Sequence, residues 1–90
     1  MRFEWDAVKA ASNRDKHGVT FEEVTTVFDD ELSLTFSDPD SIGEERHLIF
    51  GISSGNRYLV VVHTDRGDII RIISARRLTP KERRDYEQLR

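Results

Sequence analysis

The chain has 90 residues, with 37% hydrophobic and 34% charged side chains, no cysteine and a formal net charge of -3. This length fits one domain over residues 1–90 with a single modest core, and the absence of thiols excludes disulfides, thiolate metal sites and a cysteine nucleophile. No apolar run approaches the roughly 20 residues of a membrane span, and the N-terminal residues lack the apolar segment of a secretory signal, so we expect a cytoplasmic protein without membrane contact.

The N-terminal residues predict a short edge strand followed by a helix. The strand is the apolar stretch 3–5. Asp6 is a suitable N-cap for a helix from Ala7 to about Asp15, and Gly18 suits the left-handed residue that ends a helix. Lysine and histidine at positions 16 and 17 complement the carbonyl end of that helix.

A second helix is predicted to begin at Thr20, where Glu23 at the third helical position completes a capping-box pattern. Its apolar side chains recur at helical spacing and predict a buried stripe formed by Phe21, Val24, Val27 and Phe28. The acidic residues 29–31 stand at the unfavourable end of the helix dipole, so we expect the helix to end there.

The next part of the chain predicts four antiparallel strands in a meander. Apolar and polar residues alternate over 32–36 and again from Arg46 to Ser53, which is typical of half-buried strands. Tyr58 to Thr64 is apolar at nearly every position and predicts a central strand covered on both faces. Ile69 to Ala75 runs back as the fourth strand after an Asp/Gly turn.

A C-terminal helix begins after Thr79, because proline follows this N-cap and Glu82 completes a capping box. The predicted fold is therefore α+β, with an antiparallel four-stranded sheet, two N-terminal helices and one C-terminal helix. No internal repeat or linker interrupts it.

Charge is divided unevenly between the two halves of the chain. Residues 1–45 contain 12 acidic and 4 basic side chains, whereas residues 46–90 contain 5 acidic and 10 basic ones, nine of them arginine. Arginine suits bidentate contact with phosphate or carboxylate. Solvated strand edges and helix faces explain the same arginines equally well. We expect the arginines to gather on one face, with the acidic half away from it.

Several short motifs follow one another along nearly the whole chain: Phe3-Glu4-Trp5-Asp6, Asn13, Lys16-His17-Gly18-Val19, Phe21-Glu22-Glu23, Val27-Phe28-Asp29-Asp30, Glu44-Glu45-Arg46, Leu59 to Thr64, Arg66-Gly67, Arg71 to Arg77, Glu82-Arg83 and Tyr86. Together they resemble the BrnT family, the toxin half of a type II toxin–antitoxin pair. The resemblance implies a RelE-like fold and an endoribonuclease that arrests translation. It also implies neutralisation by a BrnA-type antitoxin, which binds DNA as a dimer, so that operator DNA is contacted only indirectly.

Cleavage of RNA without a metal needs a base for the ribose 2′-OH, positive groups at the charged transition state and an acid for the leaving 5′-oxygen. We predict catalytic roles for five residues: Arg66, Arg71, Arg76, Arg77 and His17. We predict RNA contacts for three others: Lys16, Arg46 and His63. No cofactor and no metal site are predicted, because the chain has no phosphate loop and no metal-ligand spacing.

Each of these residues also has a structural explanation. Arg71, among isoleucines, must pair with an acid such as Asp29 or face a polar cleft. Arg76 and Arg77 alternate to opposite sides of a strand unless a bulge intervenes. His17 fits a helix C-terminus and His63 fits core packing. Arg66 fits the exposed tip of a turn, and Arg46 fits a surface ion pair with Glu45.

The alternative to an enzyme is a binding module without catalysis, or an inactive toxin that acts as a co-repressor with a basic antitoxin. This alternative explains the overall acidity of the chain and the lack of an evident general base. An RNA-cleavage assay separates the two.

Overall fold

The computed structural model describes all 90 residues. Five strands and three α-helices follow one another along the chain: β1 (Arg2–Glu4), α1 (Ala7–His17), α2 (Phe21–Thr25), β2 (Leu34–Ser37), β3 (His47–Ile52), β4 (Tyr58–Arg66), β5 (Ile69–Arg77) and α3 (Pro80–Leu89), with a 3₁₀ turn at Thr26–Asp29 after α2. None of the helices has the length and apolar character that crossing a membrane requires.

The strands form one mixed sheet in the order β1-β5-β4-β3-β2. The antiparallel meander of β2 to β5 is present as predicted, and the α+β class is confirmed. The prediction of four strands is wrong, because β1 joins the sheet parallel to β5, with Phe3 opposite Ile70. The edge strand predicted at residues 3–5 is therefore present, but its parallel pairing was not predicted, because its partner lies far along the chain at residues 69–71.

The helix ends agree with the capping patterns, with one exception. The Asp6 carboxylate accepts the N–H groups of Val8 and Lys9, and Gly18 ends α1 at φ 68. Thr20 caps α2, but Glu23 does not complete the capping box, since its carboxylate pairs with Arg57 instead. The predicted single second helix is also shorter, because its last residues form the 3₁₀ turn.

One face of the sheet, which we call the core face, is covered by α2 and the 3₁₀ turn. The main cluster of buried apolar residues lies here: Val19, Phe21, Val24, Val27, Ile49, Leu59, Val61, Ile72 and Ala75. On the opposite face, which we call the α3 face, Tyr86 of α3 contacts the rings of Phe50 and Tyr58. Because α3 has only 10 residues, it covers one end of that face. The loop before β3 covers the other end, where the Thr64 hydroxyl donates to the carbonyl of Glu45 at 2.8 Å, and part of the face between these ends stays open.

A β-bulge in β5 decides which side chains share a face. Val62 pairs with Ser74, but the next residue, His63, pairs with Ile72, so Ile73 is the extra residue. Side chains before and after this point would otherwise alternate strictly. The bulge therefore places Arg71 and Arg76, which are five positions apart, on the same α3 face.

Candidate functional site

The open part of the α3 face forms a cleft of about 320 Å³. Its floor consists of apolar side chains from β3 and β4: Leu48, Phe50, Val60 and Val62. Its polar wall consists of His17, Ser74, Arg76 and Glu82. The cleft therefore combines an apolar floor with a histidine, an arginine and a carboxylate contributed by α1, β5 and α3.

His17 reaches the cleft because α1 is attached to β5. β1 covers only residues 69–71 of β5, and Asn13 of α1 bonds to the strand further along. The Asn13 Oδ1 accepts the N–H of Ala75 at 3.1 Å, and its Nδ2 donates to the carbonyl of Val19 at 3.2 Å. The sequence analysis did not predict this role for Asn13. The one signal was the presence of asparagine, a poor helix former, in the middle of a predicted helix.

Arg76 is held in the cleft by a bidentate ion pair with Glu82. Its Nη1 and Nη2 donate to the two carboxylate oxygens at 2.8 and 2.9 Å, and Glu82 also accepts the N–H of Thr79 at 2.8 Å. The Arg76 hydrogen bonds lower the pKa of Glu82 to about 2, and Glu82 raises the pKa of Arg76. The guanidinium therefore has a defined position, with 44% of its side chain exposed.

Two further predicted residues, Arg66 and Arg71, lie at the other end of the α3 face. Arg71 donates to Glu4 at 2.7 Å, rather than to the helix carboxylate suggested as its partner. Arg66 pairs with Glu44 at 3.2 Å and Glu4 at 3.6 Å. The expectation that the acidic half lies away from the arginines is therefore wrong, since two of its carboxylates neutralise this end of the face.

Arg77 and His63 lie on the core face and do not reach the cleft. Arg77 pairs across the sheet with the buried Leu59, and its charge is among the causes that lower the pKa of Glu23, after the Arg57 hydrogen bond. His63 is 4% exposed, contacts the Phe28 ring edge-on at 5.0 Å, and has its pKa lowered by burial. This burial agrees with the structural explanation of His63, which was packing in the core.

The last two predicted RNA contacts differ in accessibility. Arg46 closes the loop between β2 and β3, because it pairs with Asp38 at 3.2 Å and donates to the carbonyl of Asp40 at 3.2 Å. The surface ion pair with Glu45, which was the structural alternative for Arg46, does not form. Lys16 is exposed beside His17, in a shallow groove that also includes Ser74. Of these two residues, only Lys16 therefore offers an accessible charge next to the cleft.

The ion pair between Arg76 and Glu82 makes a testable contribution to acid stability. The pKa of Glu82 falls from 4.5 to about 2 on folding, so its stabilisation is complete above about pH 4.5 and is lost as the pH falls towards 2. We expect Glu82→Gln to lower the free energy of unfolding near neutral pH and to match the wild type near pH 2. Urea unfolding over this pH range measures the difference.

Glu87→Gln, on the same helix, is the matched control for that experiment, since Glu87 makes only exposed contacts: an ion pair with Arg83 at 3.6 Å and a hydrogen bond from the Tyr58 hydroxyl at 3.2 Å. A Glu82→Gln difference that stays constant across the range would contradict the assignment of the low pKa to this pair.

Fold and site together define a small α+β domain that presents a histidine and an arginine in a cleft on an open sheet face, with no cluster of residues suited to a metal ion. The sequence model of a family described as "Ribonuclease toxin, BrnT, of type II toxin-antitoxin system" matches residues 5–82. The chain therefore belongs to the BrnT family of type II toxins, as the motifs predicted. Membership implies an antitoxin partner.

A solved structure supports the fold. The 1.1 Angstrom-resolution crystal structure of the Brucella abortus ribonuclease toxin, BrnT, is similar to this chain with a TM-score of 0.69. The two sequences are 22% identical, and the match covers 88% of this chain and 97% of that one. No curated protein sequence matches the chain.

Proposed function

We propose that this toxin is a metal-independent endoribonuclease that cleaves RNA in the cleft between α1 and α3, and that it thereby arrests translation until a BrnA-type antitoxin binds it. The observation that carries the proposal is the shared placement of His17 and Arg76 in one open cleft. A positively charged fork and a proton-transferring side chain serve two of the three requirements of phosphodiester cleavage without a metal, namely the transition-state charge and one of the two proton transfers.

Arg76 is suited to bind the scissile phosphate while it stays paired with Glu82. The carboxylate uses Nη1 and one hydrogen of Nη2, and Nη1 also donates to the carbonyl of Arg77 at 3.1 Å. A guanidinium has five N–H donors, so the Nε–H and the second Nη2 hydrogen remain as a side-on fork. Glu82 then acts as a positioning residue, because its bidentate pair fixes the orientation of the guanidinium in the cleft wall.

His17 is the residue in the cleft that suits proton transfer at neutral pH. We assign it to the transfer of a proton from the 2′-OH or to the 5′-oxygen. The floor, which includes the Phe50 ring, offers an apolar surface to the ribose or base. Arg71 and Arg66 continue the same sheet face beyond the cleft, and we propose that they contact phosphates further along the strand.

The proposal is tested by incubating the purified toxin with RNA in the presence of EDTA. We expect fragments with 5′-hydroxyl ends, because the 2′-OH attacks the phosphorus and the 5′-oxygen leaves with a proton. A DNA strand of the same sequence has no 2′-OH and should remain intact. Cleavage that EDTA abolishes, or no cleavage of any RNA, would refute the mechanism.

The binding module without catalysis is favoured by one observation, the neutralisation of Arg46, Arg66 and Arg71 by carboxylates. It predicts that the toxin binds its antitoxin normally but leaves RNA intact and does not arrest growth when it is expressed alone. The same RNA assay therefore distinguishes the two functions.

A further inference from the structure

β2 is the outermost strand of the sheet and its outer side has no neighbour. The N–H of Asp38 donates to the carbonyl of Arg46 at 2.9 Å, in the register that also pairs Phe36 with Leu48. Because backbone groups alternate in direction along a strand, the N–H and C=O groups of Thr35 and Ser37 face outwards. The strand contains no lysine, proline or bulge, which are the usual devices that prevent pairing at an edge.

An apolar groove lies next to this edge on the α3 face. It has a volume of about 190 Å³, and its apolar walls are Leu34, Phe36, Phe50, Tyr86 and Leu89. Phe36 is 48% exposed and Leu89 is 66% exposed. A strand added to β2 would place every second side chain on the groove, since side chains alternate between the two faces of a sheet.

Carboxylates are the prevailing charge next to the edge. Residues 17–45 contain nine carboxylates and no lysine or arginine, and four of the nine pair with arginines from elsewhere in the chain. Glu31 precedes β2, and Asp38 and Asp40 follow it. Arg46 neutralises Asp38, whereas the other two carboxylates make no ion pair. A segment that binds here should therefore carry basic residues at both ends.

We propose that β2 binds an extended, basic segment of the antitoxin as a sixth strand, with apolar side chains of that segment filling the groove. Backbone hydrogen bonds supply affinity in this mode of recognition, and side-chain pockets supply specificity. The groove shares Phe50 and Glu82 with the cleft, so the bound segment would also lie at the cleft entrance. The proposal rests on membership of a toxin–antitoxin family and not on the catalytic assignment.

The test measures antitoxin binding by calorimetry with two toxin variants. Thr35→Pro removes one outward N–H without removing a β2–β3 hydrogen bond, and Phe36→Lys places a positive charge on the groove. We expect each to weaken binding by about 10-fold or more, which corresponds to one or two lost contacts. Val8→Lys is the matched control, since Val8 is 79% exposed on α1, and it should bind like the wild type.

Amide hydrogen exchange on the wild-type complex gives a second readout that does not depend on the folding of a variant. The Thr35 and Ser37 amides should exchange more slowly in the complex than in the free toxin. Wild-type affinity of both variants, or unchanged exchange at these amides, would overturn the proposal. So would a β2-mediated dimer of the free toxin that Thr35→Pro dissociates without a change in antitoxin affinity. RNA cleavage by the free variants should be unchanged, which separates this proposal from the catalytic one.

Discussion

Arg76→Ala should reduce RNA cleavage by about 100- to 1000-fold, the range found when one positioned donor to a charged transition state is removed. The reason is the loss of the side-on fork that remains after the end-on pair with Glu82 has formed. Arg76→Lys should recover only part of the activity, because an ammonium group has the charge but not the planar fork. Turnover of a defined RNA under single-turnover conditions measures the effect.

Arg77→Ala is the matched control, because it removes the same side chain one residue away and on the opposite face of the sheet. It should leave cleavage within a few-fold of the wild type. Arg76→Ala could also lose activity because the Glu82 carboxylate, left without its partner, repels RNA. The double variant Arg76→Ala/Glu82→Gln tests this second explanation, since it removes that negative charge. If the double variant recovers full activity, or if the alanine variants at 76 and 77 lose activity equally, the assignment of the phosphate to Arg76 is wrong.

Asn13→Ala should lower the free energy of unfolding by about 2–4 kcal/mol, because two backbone groups lose their hydrogen-bond partner in a buried site. The affected groups are the N–H of Ala75 and the carbonyl of Val19. Alanine has a better helix propensity than asparagine, so this effect alone would raise the free energy of unfolding. A measured decrease therefore reports the lost hydrogen bonds. Equilibrium urea unfolding monitored by circular dichroism measures the change.

Ser12→Ala is the control for this variant, since Ser12 is the preceding residue of α1 and is exposed. It should change the stability by less than about 0.5 kcal/mol. Asn13→Ala should also reduce cleavage at a temperature where the variant is still folded, because α1 would no longer hold His17 at the cleft. A change in stability as small as that of Ser12→Ala would show that α1 is attached to β5 by other contacts.

Much of the local structure was predictable because its signals lie within a few residues. The capping box of Thr79 with Glu82 forms as the spacing indicated, and the helix-ending glycine at position 18 has the expected left-handed conformation. The capping box at Thr20 failed for a tertiary reason. Arg57, which is 34 positions away in the chain, takes the Glu23 carboxylate, and no pattern near Glu23 indicates that partner.

The candidate residues of the site could be chosen from the sequence by their type, but which of them lie together could not be predicted. His17 and Arg76 were among the candidates, and the structure brings them to one cleft. His63 and Arg77 were also candidates, but they lie on the core face. The residue type does not show whether a side chain is buried or on which face of the sheet it lies. Both depend on which strands are neighbours and on the register in which they pair.

Composition, capping signals and hydrophobic periodicity were enough for the α+β class, the order of the helices and the antiparallel meander, since these depend on contacts between residues close in sequence. Only the folded chain showed the parallel pairing of β1 with β5 and the ion pair between Glu4 and Arg71, 67 positions apart. It also showed the bulge that moves Arg71 to the face of Arg76. The physical reason is that one extra residue in a strand reverses the facing of every residue beyond it, and only the register with the neighbouring strand shows where that residue lies.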